Sequence, residues 1–166
     1  MKEEQIRVLK TMSEATSRMD LTTFAKKVNL SPTQTIQQIQ ELAKEGFLQR
    51  SGSGYGITEK GKAAIKVFTP VPDELSFHFY FGIDQPTDLT AKTLQEFYMA
   101  IKQVSAGSLE FHLYRGDFEN WLKEACKEPE LVTEVGGIKA AELKGEELRA
   151  ELLKVLDAKY GIQELM

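Results

Sequence analysis

The sequence predicts a mostly helical α+β chain made of two units, and three observations carry that prediction. Apolar residues recur at helical spacing along most of the 166 residues. Two short β segments flank a glycine-rich tip, Ser51-Gly52-Ser53-Gly54, and an aromatic strand follows a proline-rich break at residues 69–73. Charge is also divided: residues 1–68 carry 11 Lys+Arg against 7 Asp+Glu, whereas residues 69–166 carry 10 against 18. A basic first unit of 1–68, a linker of 69–74 and an acidic, mainly helical unit of 75–166 follow from this.

In the first unit, Ile6, Leu9 and Met12, with Val8 beside them, predict an amphipathic helix over residues 3–15. A second helix opens at Asp20 or Thr22 as N-cap and buries Leu21, Phe24, Ala25 and Val28. Asn29-Leu30 makes a tight turn. Ser31-Pro32 starts a third helix, because Ser caps free amides and Pro fits the first helical position, where its missing N–H costs nothing. Ile36, Ile39, Leu42 and Ala43 form its expected apolar face, and Gly46 stands where a C-terminal cap belongs. Strands at Phe47-Leu48-Gln49-Arg50 and Tyr55-Gly56-Ile57-Thr58 and a helix over 58–68 complete this half.

Two helices joined by a short turn, then a glycine-tipped hairpin and a further helix, resemble the winged helix-turn-helix regulators of bacteria and archaea. The runs Glu41-Leu42-Ala43-Lys44-Glu45-Gly46-Phe47-Leu48 and Ile57-Thr58-Glu59-Lys60-Gly61 carry the resemblance. It implies a transcription regulator that places the third helix in the major groove of double-stranded DNA. Ser31, Thr33, Gln34, Thr35, Gln37 and Gln38 are then expected to contact DNA, with Gln40 beside them, since Gln pairs bidentately with adenine. Lys44, Arg50, Ser51, Ser53 and Tyr55, with Lys26 and Lys27, are the expected backbone contacts. The third helix holds no Lys or Arg before Lys44, so a protein-docking adaptor stays open as the alternative.

In the second unit, Phe77, Phe79 and Phe81 alternate in an apolar strand that must find a partner, in the chain or in a second copy; a homodimer is expected on that ground. Residues 84–88 read as a loop, and Thr90 opens a helix carrying Leu94, Phe97, Tyr98, Ile101 and Val104. Ser108 is expected to cap a short helix over 109–114, and Asp117 another beginning at Phe118. Pro129 starts a helical segment that Gly136-Gly137 interrupts, and a last helix over 145–159 has Leu148, Leu152, Val155 and Leu156 as its stripe. The block at 108–122, with His112, Arg115, Gly116, Asp117, Phe118 and Trp121, resembles an uncharacterised helical domain found mainly in archaeal proteins. The segments at 79–82 and 145–149 extend the resemblance over most of 75–160, and it implies a fold but no activity.

His112, Arg115, Asp117 and Glu119 are the raw material of acid–base chemistry, but no nucleophile, phosphate loop or metal spacing accompanies them. A structural role for the group is therefore expected, and the chain reads as no enzyme, with no cofactor and no metal. An effector pocket among Phe77, Phe79, Phe81, Phe97 and Trp121 is weighed against plain core. One cysteine, Cys126, suits a reducing cytoplasm. The charged N-terminus does not read as a signal peptide, and no apolar run reaches the length of a membrane helix.

Overall fold

Helix caps and glycines at fixed points give the first unit its element order. The computed structural model describes residues 1–166, which divide into Met1–Phe68 with Leu165–Met166, and Thr69–Glu164. The first unit contains α1 (Glu3–Glu14), α2 (Leu21–Lys27), α3 (Pro32–Lys44), the hairpin β1 (Leu48–Ser51) and β2 (Gly54–Ile57), and α4 (Glu59–Phe68). Asp20 accepts the Thr23 N–H and so caps α2, while Asn29 takes a positive φ to turn the chain into α3. Ser31 and Gln34 form a reciprocal capping box at the start of α3, with Pro32 in its first turn. Gly52 adopts φ +62° at the first position of the two-residue loop between Ser51 and Gly54, the conformation a tight hairpin needs.

The run Thr58-Glu59-Lys60-Gly61 is a joint. The Thr58 hydroxyl donates to the Gly46 carbonyl at 2.6 Å and accepts the Gly61 N–H at 3.1 Å. Lys60 Nζ donates to the Glu45 carbonyl at 2.9 Å and lies 4.5 Å from the centre of the Phe47 ring. Together these bonds satisfy the carboxyl end of α3 and fix the first turn of α4 against it. Gly61 lies so close to the chain at Phe47 that an added Cβ would stand 2.4 Å from the Phe47 carbonyl oxygen.

Helix α3 is turned about its axis relative to the sequence expectation. Its buried positions are Thr35, Gln38 and Leu42, whereas Ile36 is 42% exposed. Thr35 is fully buried at little cost because its hydroxyl donates to the Ser31 carbonyl at 2.8 Å. Gln38 is buried with its Oε1 unpartnered, a burden of about 1–3 kcal/mol by the usual cost of an unmet acceptor. Leu21, expected inside, is exposed as well.

The second unit holds a short 3-10 turn (Asp73–Leu75), β3 (Phe77–Gly82), β4 (Gln85–Ala91), α5 (Leu94–Gln103), α6 (Ala106–Arg115), α7 (Asp117–Glu124), α8 (Pro129–Ala140), α9 (Gly145–Tyr160) and α10 (Ile162–Leu165). Residues 69–74 are no free linker: the Val71 N–H donates to the Lys92 carbonyl, and Asp73 pairs with Lys92. β4 replaces the expected loop and pairs antiparallel with β3, so the aromatic strand's need for a partner is met within the chain. The register shifts on both sides of Tyr80, and past this irregularity Phe81 leaves the apolar face and is 55% exposed. Thr93, not Thr90, caps α5. Ser105 caps α6, so Ser108 sits inside that helix, and Asp117 is the first residue of α7 rather than its cap.

Phe77, Phe79, Phe97, Phe118 and Trp121 pack on one another with ring centres about 5–6 Å apart, which makes the expected aromatic pocket a filled core. Helix α8 runs through Gly136-Gly137 because Leu131, Val135 and Ile138 anchor it on both sides of the pair. Arg149 on α9 donates to the carbonyls of Ile101 and Val104 at 2.6 Å each and so caps the carboxyl end of α5.

Two glycines should respond in opposite senses to alanine. Gly61→Ala must move backbone and is expected to cost about 1–3 kcal/mol, the usual penalty of overpacking. Gly137→Ala meets open space inside a helix and is expected to stabilise by about 0.5–1 kcal/mol. Urea unfolding of both variants checks the pair.

Candidate functional site

Two regions carry enough chemistry to be sites, one in each unit. In the first unit, the outward side of α3 presents Thr33, Gln34, Ile36, Gln37, Gln40 and Lys44, all exposed, with Ser31 at its start. The Gln34 side chain is partly committed, since its Oε1 accepts the Ser31 N–H, and Gln37 reaches Glu41 at 3.5 Å. Thr35 and Gln38 face the interior and cannot touch a ligand lying on α3, which corrects the expectation for both.

On the hairpin, Arg50 and Tyr55 are cross-strand partners, and the guanidinium lies 5.6 Å from the tyrosine ring centre. Ser51 is exposed, and Ser53 at the tip accepts a hydrogen bond from Arg18 at 2.5 Å. Arg18 is a cation at the tip that the sequence reading passed over, because it stands in the polar stretch between α1 and α2, far from the hairpin in sequence. Lys26 and Lys27 are exposed at the end of α2. Beside these elements Met12, Arg18, Met19, Leu21, Ile39 and Tyr55 line an open groove of about 380 Å³.

In the second unit, the block singled out in the sequence folds around β3. His112 is 3% exposed; its Nε2 accepts the Tyr80 N–H at 2.8 Å and its Nδ1 lies 2.8 Å from Asp117 Oδ2. An acceptor at Nε2 leaves the proton on Nδ1, so the ring is the neutral tautomer donating to Asp117. Ser108 completes the contact by donating its hydroxyl to the Tyr80 carbonyl at 2.7 Å. Burial holds the His112 pKa below 6.5 against the opposing pull of Asp117, and Arg115 nearby lowers it further. Both ring nitrogens are committed to the fold. His112 therefore has no nitrogen left for proton transfer to a substrate.

Glu119, the fourth member of the group, points elsewhere and pairs with Lys139 on α8 at 3.5 Å. No group of three or more His, Cys, Asp or Glu side chains is placed to hold a metal ion, and no helix is long and apolar enough to cross a membrane. Alongside the block runs an open cleft of about 620 Å³ between the β3–β4 turn and helices α6 and α7, with Phe111, Arg115, Asp117, Asn120 and Trp121 on its walls.

Replacing His112 by Gln keeps an acceptor for Tyr80 and a donor for Asp117 but removes the titrating ring. In the native chain the unfolded state takes up a proton near pH 6.5 that the folded state refuses. Stability is thus full above that pH and is lost as pH falls through the lower folded pKa. The variant is expected to be less stable at pH 7 by about 1–3 kcal/mol through lost ring packing, with the gap to the native chain narrowing as pH falls below 6.5. Denaturant titrations at four pH values check both parts.

No curated protein and no solved structure matches the chain. The model of a family of unknown function, DUF5752, matches residues 68–157, which span β3 through most of α9 and include the whole His112 block. That match covers more than half of the sequence, and the chain belongs to the DUF5752 family.

Proposed function

We propose that the protein is a DNA-binding transcription regulator whose first unit acts as a winged helix-turn-helix. The observation that carries this reading is the outward face of α3, where Thr33, Gln34, Gln37 and Gln40 stand exposed on a capped helix of 13 residues. Amides and hydroxyls on such a face match the donor and acceptor edges of bases in the major groove. Ile36, in the middle of that face, suits a thymine methyl. The hairpin supports the reading through Arg50, Ser51, Ser53 and Tyr55, joined by Arg18, and Lys26, Lys27 and Lys44 add charge for phosphates. The surplus of positive charge in residues 1–68 has the sign that DNA requires.

One observation favours a second reading, a protein-docking adaptor. Ile36 and Leu21 are 42% and 38% exposed, and Leu21 also lines the groove that holds Met12, Met19 and Ile39. An apolar surface of this kind is what a partner helix would cover.

Mobility shifts on genomic duplex fragments, repeated over a salt series, separate the two. The regulator reading expects retained fragments with affinity that falls steeply with salt. Arg50→Ala should reduce the slope of log affinity against log salt by about one, and Gln37→Ala should cost about 1–3 kcal/mol of discrimination between fragments. Thr35→Ser, at an interior position, should leave both unchanged. No retained fragment at low salt would discard the regulator in favour of the adaptor.

A further inference from the structure

The cleft of the second unit is built from two kinds of wall. Phe111 supplies aromatic surface, with the edges of the nearly buried Phe77 and Trp121 behind it, and Leu75 and Ile83 stand at its rim 42% and 75% exposed. Asp84, Asp117 and Glu124 supply carboxylates, against the single cation Arg115. Arg115 shows how the aromatic wall is used: its guanidinium lies 4.7 Å from the centre of the Phe111 ring, with Nε 3.7 Å from Asp117. A flat cation held over a ring and beside a carboxylate is thus already favoured in this cleft by the chain itself.

We propose that this cleft binds a basic peptide segment of a partner protein, one that seats an apolar residue between Leu75 and Ile83 and sets Lys or Arg against Asp84 and Glu124. Three considerations select this occupant. The cleft is open along the Leu75–Ile83 rim, so a small metabolite would stay largely in water, whereas small-ligand sites bury most of their ligand. Ile83 is the most exposed of the chain's exposed large apolar residues, and such a residue at a carboxylate-rimmed cleft suits a segment that is both apolar and basic. A second copy of this unit would meet it with the same excess of Asp and Glu, 18 against 10 Lys+Arg in residues 69–166, and like charges repel across an interface. The inference does not depend on DNA binding by the first unit.

Trp121 is the protein's one tryptophan, and its buried indole borders the cleft and donates to the Leu75 carbonyl at 2.7 Å, so its fluorescence responds to a ligand seated at Leu75. The full chain is titrated, without DNA, with an acetylated, amidated peptide of sequence Lys-Leu-Lys-Leu-Lys, and with a second peptide bearing Glu in place of each Lys. The expected result is a saturable change in Trp121 emission with the basic peptide alone. Asp84→Asn and Glu124→Gln should each weaken binding about three- to fivefold, as for part-exposed charge pairs. Ile83→Ser, at a position too exposed to disturb folding, should weaken it about tenfold. Glu147→Gln, an exposed acid on α9 away from the cleft, should leave it unchanged. Equal weakening by Glu147→Gln, no emission change with the basic peptide, or equal binding of free arginine would each overturn the proposal.

Discussion

The second unit depends on what happens at the outer edge of β3. A two-stranded hairpin leaves one edge of each strand with unpaired backbone groups, and by itself it is only marginally stable in water. β4 takes one edge of β3. At Tyr80 on the other edge, α6 supplies side chains in place of a third strand, with His112 accepting the N–H and Ser108 donating to the carbonyl. The two residues are four apart on α6 and so share one face of it. The arrangement works only if the imidazole is neutral with its proton on Nδ1, and Asp117 at the start of α7 fixes that tautomer. One hydrogen-bond chain thus ties β3 to α6 and α6 to α7, with the aromatic core packed behind it. A histidine beside an aspartate has the look of catalytic chemistry, yet here both ring nitrogens are taken up by the fold.

The first unit has a comparable joint, in which the Thr58 and Lys60 side chains close on backbone carbonyls. Gly46 ends α3 by taking a positive φ, and Thr58 and Lys60 then close the carbonyls at that end. Gly61 allows α4 to approach the chain at Phe47 more closely than any side chain would permit. What this arrangement secures is the orientation of α3. With its carboxyl end clamped and its amino end capped by Ser31, the helix turns Thr35, Gln38 and Leu42 inward and leaves the remaining glutamines to solvent.

Local chemistry was the legible part of the sequence. Ser31 with Pro32, Asp20 and the glycine tip each specify their structure through bonds or dihedrals spanning a few residues, and these elements lie where expected. The failures were tertiary. The apolar stripe of α3 was read through Ile36, yet packing turned the helix by about one residue, because Thr35 can enter the core by bonding to its own helix. β4 was invisible because Pro86 and Asp88 conceal its alternation, and only pairing with β3 gives the segment its form. Gly136-Gly137 breaks a helix in isolation but not one anchored by Leu131 and Ile138 on either side. The His112 block could be recognised as a unit, but its role required knowing that Tyr80 lies opposite, 32 residues earlier in the chain.

The two surfaces left over once folding is accounted for differ in sign and in character. Outside the family match lies an exposed amide-rich helix with a cationic hairpin; inside it lies a carboxylate-rimmed aromatic cleft. By charge, the first suits a polyanion such as the proposed duplex and the second a basic segment such as the proposed peptide. The two proposed partners thus carry opposite charge, and electrostatics would sort them between the surfaces. For a chain whose overall charge is only −4, that sorting arises from the division of charge along the sequence and would vanish if the same residues were mixed.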